Sequence, residues 1–507
     1  DLVAPPGGLD PISRPAQFSF YSNFFGSQPF GKNPGSGFAR EGAALDEDFA
    51  FQYRKWVFEG STSFREKATD PFTRHDLRVV RDFPGQMARA TMGDQSYGLT
   101  GFQGYRPLGG VGAASRFETQ PHRLTYPTRL QEIALREAGA VHVYINDRLV
   151  RTLELPAGRY SLRNLPMVVG RNKIRYELVT KAGSMETIEA EINHDPEQLA
   201  KGVQHFSYSF GFPSEPNGWN YRYNTKKLTV SAFHRTGILE PLTGGLNFQG
   251  DKTQVLWGTE VLWSTWIGVL SDEAAQSAVF GNPSLLGYAN RLRWIRSDAH
   301  SGGVGQRTWG LGYEVRTPHF ATLGDTGTYQ SVAHELSAQY SDDLFAGWSA
   351  GLSASRTFHR TRPDAPFHTY RVAATLAQRW TSTLFSSLIG TFGQDATGNM
   401  DRTALLLVSW SPAEGRDIFN LTADSSTPSA RADWRRRSPA RAEKLEYGAG
   451  LERREKTSSA QAQVDYLGNR TRASVTTQAE STALGFGHRT DLRAATAVVY
   501  ADGKAAL

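Results

Sequence analysis

The chain has 507 residues, 39% of them hydrophobic, with 56 basic and 50 acidic side chains and a net charge of +6. That balance excludes the basic footprint of a nucleic-acid-binding protein, and no apolar run approaches the roughly 18–20 residues of a membrane helix. Cysteine is absent, which excludes a disulfide framework and thiol chemistry; 50 glycines and 11% aromatics suit the turns and interfacial girdles of a membrane β-barrel.

Residues 1–15 carry Pro5, Pro6, Gly7, Gly8, Pro11 and Pro15 and read as a tail. Strand-like alternation begins with Phe18, Phe20 and Ser22, and continues through Phe51, Tyr53, Lys55 and Val57. Leu77 to Phe83 ends in a turn at Pro84-Gly85. Residues 16–127 are therefore expected to form the first part of a barrel.

The pattern changes over residues 128–199, where turns recur about every 8–12 residues, as in a small sandwich. Val141, Val143 and Ile145 share one face of a strand, and Leu153 and Leu155 continue the theme before Pro156-Ala157-Gly158. With Leu162, Ile174 and Tyr176 they make the expected core of an inserted immunoglobulin-like module. Arg148, Arg151, Arg163, Arg171 and Arg175 are its expected polar latches to a surrounding wall. A compact module spliced between two barrel strands has the lumen as its natural place, so it is expected to act as a plug.

Residues 200–507 resume the barrel pattern. In His205 to Phe212 the aromatics Phe206, Tyr208, Phe210 and Phe212 alternate with Ser207, Ser209 and Gly211. A period of two puts the aromatics on one face, toward lipid, and Ser207 and Ser209 on the other, toward the lumen. The same alternation places Glu314, Arg316 and Arg371 toward the lumen. Allowing about ten residues per strand and about seven per connection, the chain outside tail and insert supplies roughly 24 strands. The expected fold is all-β: a large antiparallel transmembrane β-barrel with an inserted plug. A lumen that wide leaks unless plugged.

Catalytic signals are sparse. Gly351-Leu352-Ser353-Ala354-Ser355 lacks the last glycine of a nucleophile elbow, and the histidines form no HExxH pair. Asp298 and His300 beside Ser301 are the one arrangement that a rim-active hydrolase would use. The chain is expected not to be an enzyme and to need no cofactor or metal.

Several motifs, taken in order, resemble one family. Arg78-Val79-Val80-Arg81-Asp82 is followed by Gly93-Asp94, then by Gly101-Phe102-Gln103-Gly104, by the turns between Val141 and Pro166, and by Ala497 to Gly503 near the end. Together they resemble the fimbrial ushers, the outer-membrane pores of the chaperone–usher pathway. Asn146-Asp147 stands where that family usually has Asn-Gly. The resemblance covers the translocation pore and plug, without the family's N- and C-terminal periplasmic domains. It implies a bacterial outer-membrane location. It also implies a pore that translocates and assembles pilus or fimbrial subunits delivered by a periplasmic chaperone. The partners it implies are chaperone–subunit complexes, pilus subunits and outer-membrane lipid, and no nucleic acid. Alternatives are a plugged export or uptake barrel for another cargo, and the rim hydrolase.

Overall fold

The structure is a computed structural model. It describes residues 16–32, 37–121, 123–127, 133–135, 139–145, 148–156, 158–160, 170–180, 185–194, 197–217, 220–281, 285–300, 305–325, 329–345, 347–360, 368–395, 397–412, 416–438 and 444–506. Its dominant element is one antiparallel sheet closed on itself into a barrel of 24 strands. Closure is explicit in the register: strand Phe18–Lys32 pairs on one side with Ala44–Tyr53 and on the other with Gly485–Ala501. A closed wall leaves no unpaired edge, which is the condition for a sheet to span a membrane.

An even number of strands brings both ends of the wall to the same rim. Turns at that rim are short: Arg54-Lys55 joins Tyr53 to Trp56, Glu240-Pro241 joins Leu239 to Leu242, and Trp266-Ile267 joins Thr265 to Gly268. The opposite rim carries long connections, 96–107 and 317–331 among them. Outer-membrane barrels show this asymmetry, with the short turns facing the periplasm.

Alternation sorts the wall into two faces. On strand Thr229–Leu239, Thr229, Ser231, Phe233 and Arg235 are buried, while Val230, Ala232, His234 and Thr236 are only partly covered. Large apolar side chains are exposed around the whole barrel, from Phe51, Trp257 and Leu311 to Leu388, Leu451 and Leu492. An exposed apolar face on a closed antiparallel wall is a lipid-facing face. Among the described residues no helix is long and apolar enough to cross a membrane.

The insert leaves the wall after strand Leu108–Ser115 and returns at Gln204–Asn217, and those two wall strands pair directly with each other. Removing the insert therefore breaks no ladder. Within it, Arg148–Leu155, Gly139–Ile145, Gly170–Thr180 and Met185–His194 form an antiparallel sheet in that order. A separate pair joins Ile133–Leu135 to Gly158–Tyr160.

Candidate functional site: the lumen and its inserts

The insert has its own core. Val141, Val143, Ile145, Leu155, Ile174 and Tyr176 form one buried cluster, joined by Leu178 and packed by Leu153, Val150 and Tyr160. Six of the expected core residues are thus in the cluster itself and Leu153 lies against it. Leu162 lies outside the described residues. Tyr160, on the two-strand pair, packs against this core. The Tyr160 hydroxyl donates to the Pro156 carbonyl at 2.8 Å, which satisfies its polar end at the edge of the core.

The expected latches are placed less simply. Arg175 lies 3.2 Å from Glu177 and 4.4 Å from the centre of the Tyr144 ring, so it is engaged within its own module. Arg151 is half-buried on strand Arg148–Leu155. The side chains of Arg148, Arg163 and Arg171 lie outside the described residues. The Arg171 backbone, however, pairs with Asp298 of wall strand Leu285–Ala299. Among the described residues this is the one backbone pairing between insert and wall, and it sits at the rim of short turns.

The lumen face holds a second buried system, which the sequence did not reveal. Connection 96–107 folds inward from the rim of long loops and lies along the lumen side of the wall. The Gly98 N–H donates to Ser207 Oγ at 3.2 Å, and the Thr100 hydroxyl to Glu260 at 2.6 Å. Gln103 Nε2 donates to the carbonyls of Ala232 and Phe248, and Gly104 exchanges two hydrogen bonds with Gln249. Phe102 meets Phe320 edge-to-face at 5.5 Å above Leu256, Ala275 and Ala289. The guanidinium groups of Arg291 and Arg316 stand 4.7 and 5.9 Å from the Phe102 ring centre. Tyr97 closes the base of the segment by donating to the Arg106 carbonyl at 2.6 Å. Burial pushes its phenol pKa up, which keeps it a donor.

The takeoff of this segment is pinned by Gly93-Asp94. Gly93 has φ +117, and a Cβ there would stand 2.4 Å from the Leu77 carbonyl oxygen, so only glycine fits. Asp94 is then turned to accept the Leu77 N–H at 2.8 Å and the Arg74 guanidinium at 2.6 Å, and it also bonds the Tyr223 hydroxyl.

An ion-pair ladder runs around the lumen. Glu260 and Glu273 lie directly opposite each other on neighbouring strands. Arg235 meets Glu260 at 2.8 Å; Arg293 and Arg291 meet Glu273 at 2.7 and 3.0 Å. Arg291 and Arg316 also both reach Glu314 at 2.6 Å. Alternating signs let the like charges coexist at low exposure, where an unpaired charge would be strongly unfavourable. The ladder meets the insert's return connection through Arg235, which also donates to the Glu197 carbonyl at 3.1 Å. A cavity of about 540 Å³ lies between the lumen segment and both connections to the insert, with Thr100, Thr125, Gln198, His205 and Glu260 in its lining.

Glu314 and Arg316 thus stand on the lumen side, as partners of each other. The register carries their row through Gly312 and Ser337 to Ser355 and an exposed Arg371. Ser207 and Ser209 are on the lumen face but only 3% and 4% exposed, because segment 96–107 covers Ser207 and the side chain of Gln95 lies near Ser209. Tyr208 and Phe210 are 42% and 46% exposed on the outer face, with Phe206 and Phe212 half-covered beside them. Phe206 stacks on Tyr208 at 5.1 Å, and the Tyr208 hydroxyl meets His234 Nδ1 at 2.6 Å.

Asp298 and His300 pair with other residues rather than with each other. Asp298 is engaged by Arg296 at 2.7 Å, and His300 faces Asp342 at 3.1 Å instead; Ser301 lies outside the described residues. Among the described residues no group of three or more His, Asp or Glu side chains could hold a metal ion.

No family model matches the sequence, and no curated protein matches it. Solved structures do. The E. coli P pilus tip assembly intermediate PapC-PapD-PapK-PapG, in its second conformation, contains a chain of similar fold with a TM-score of 0.71 at 15% identity. The match covers 99% of this chain and 63% of that one. The P pilus usher (PapC) translocation pore matches with a TM-score of 0.52 at 14% identity, over 94% of this chain and 99% of that one. The barrel therefore has the fold of an usher translocation pore.

Proposed function

We propose that this chain is an outer-membrane usher pore. It translocates pilus or fimbrial subunits that a periplasmic chaperone delivers, and assembles them at the surface. The observation that carries this reading is the pairing of a closed barrel of 24 strands with a self-contained module spliced between two adjacent wall strands. Strands spaced about 4.8 Å apart and tilted about 40° give a barrel of that number a backbone diameter of about 48 Å. A folded domain of about 100 residues has a radius of gyration of about 13 Å and is about 33 Å across. The lumen thus has the width to pass such a domain once the module is displaced.

We read the module as an immunoglobulin-like plug in two layers. Its sheet and the Ile133–Leu135 pair on either side of the Val141–Tyr176 core support this. The rim contact of Arg171 with Asp298 supports a module that leaves the lumen toward the periplasm and docks there during transport. The closer likeness to an assembly intermediate than to the isolated pore points the same way. No nucleotide enters this scheme; subunits that donate a strand to one another would supply the energy.

The test is a deletion of residues 128–199 with the flanks joined by a short Gly/Ser linker. In planar bilayers the variant should pass a large, steady current where the parent gives small events. Co-expression with a chaperone and fibre subunits should give surface fibres only with the intact chain. A folded deletion barrel that conducts no more than the parent refutes the plug. Failure of the intact chain to export subunits from any chaperone–subunit pair encoded beside it refutes the usher reading and favours a plugged barrel with another cargo.

A further inference from the structure

The arginines of the lumen ladder, Arg235, Arg291, Arg293 and Arg316, all have carboxylate partners, and Arg431 follows them by meeting Asp433 at 2.8 Å. Arg436 differs. It lies on the same face of strand Ser429–Arg436 as Trp434, two residues on, and that face is the outer one: Phe419 opposite Trp434 and Tyr447 opposite Arg436 are both exposed to lipid. Arg436 is exposed and has no ion pair among the described residues. Asp417, directly opposite it, accepts the indole N–H of Trp434 at 3.0 Å instead. Arg437 follows at the strand's end, with its N–H on the Arg416 carbonyl, so the local balance at this rim is cationic.

One register row from Arg436, at Trp434 and Ala449, the outer wall is hollowed. Trp410, Phe419 and Trp434 form one side of a furrow of about 830 Å³, and Ala432, Ala449 and Ala460 form its bed. Their register places them on two adjacent outer rows, Trp410–Phe419–Trp434–Ala449 and Leu421–Ala432–Leu451–Ala460. Leu421 and Leu451 flank Ala432 in its row, and the alanines leave open space between them and the three aromatic rings. A furrow that faces hydrocarbon is filled by hydrocarbon, and an unpaired guanidinium at headgroup depth seeks a phosphate.

We infer that this wall segment is a seat for an anionic glycerophospholipid of the periplasmic leaflet. An acyl chain lies in the furrow over Ala432, Ala449 and Ala460, and the headgroup phosphate is held at Arg436. The leaflet follows from the position of Arg436 at the rim of short turns.

The experiment is native mass spectrometry of the full chain, released from mild detergent after incubation with phosphatidylglycerol, phosphatidylethanolamine or lipid A. The parent should retain phosphatidylglycerol in preference to the other two. Arg436→Gln should lower that retention about fivefold, the effect of one basic residue at a membrane surface, and leave phosphatidylethanolamine retention unchanged. The double variant Ala432→Leu with Ala449→Leu should lower retention of both phospholipids, since it fills the bed without touching the charge. Heat-modified gel migration checks that each variant remains a folded barrel. Equal retention by parent and both variants overturns the seat, as does preferential retention of lipid A. A dimeric parent that the double leucine variant converts to monomer also overturns it, in favour of a second copy of this chain.

Discussion

Replacing Phe102 by alanine should release segment 96–107 from the lumen wall without unfolding the barrel. Phe102 is 5% exposed, and its ring touches Phe320, Leu256, Ala275 and Ala289 besides the two guanidinium groups. Truncating a buried phenylalanine costs about 3–5 kcal/mol. Within that, the aromatic pair contributes about 0.5–1.5 kcal/mol and each partly desolvated cation–π contact about 0.5–1 kcal/mol. The wall ladders are untouched, so the loss falls on the local closing of the segment rather than on the whole fold. About 3 kcal/mol corresponds to a rise of roughly a hundredfold in local opening. Hydrogen exchange followed by mass spectrometry reads this directly. Amides from Gly98 to Gly104 should exchange up to about a hundredfold faster, while those of the facing strands Thr229–Leu239 and Leu242–Gly250 stay protected. Unchanged exchange over Gly98 to Gly104 would refute the anchoring role of the ring, and a global loss of protection would refute the separation of segment from wall.

Cysteine at Ser207 should resist a small hydrophilic thiol reagent in the parent background and become reactive when combined with Phe102→Ala; reactivity in both backgrounds would mean the segment does not cover this face. Asp94→Ala should loosen the same takeoff by about 3 kcal/mol, because Arg74 loses the carboxylate it is paired with and the Leu77 N–H its acceptor; faster exchange at Leu77 and Gln95 checks it. Arginine at Phe210 should destabilise the barrel by up to about 2–4 kcal/mol near mid-depth, read as a lower unfolding midpoint in lipid; an unchanged midpoint would remove that residue from the lipid face. Glu260→Gln should weaken its pairing with Arg235, and the expected readout is more frequent channel opening; a current trace like the parent's would separate the ladder from plug retention.

Fold class was legible because barrel strands announce themselves locally. The stripe from Phe206 to Phe212 needs no partner to declare a period of two, and repeated down the chain it predicts a wall of about the observed size. Within the module, Val141, Val143 and Ile145 alternate along one strand, and the three are buried in one cluster. The latch set was less so, since Arg175 is as well placed for its neighbour Glu177 as for any wall residue, and sequence carries no signal that separates the two.

By itself, then, the sequence determined the wall, its two faces and the insert, since each is written in near-neighbour periodicity and turn chemistry. Tertiary structure alone decided what fills the lumen. Phe102 and Phe320 are more than two hundred residues apart, and the ladder from Arg235 to Arg316 draws on strands whose pairing order only closure establishes. Nothing local distinguishes an inward-folded connection such as 96–107 from a solvated loop. Its side chains find partners only after the barrel closes around them, when burial makes an unpaired charge or an unbonded amide too unfavourable to leave.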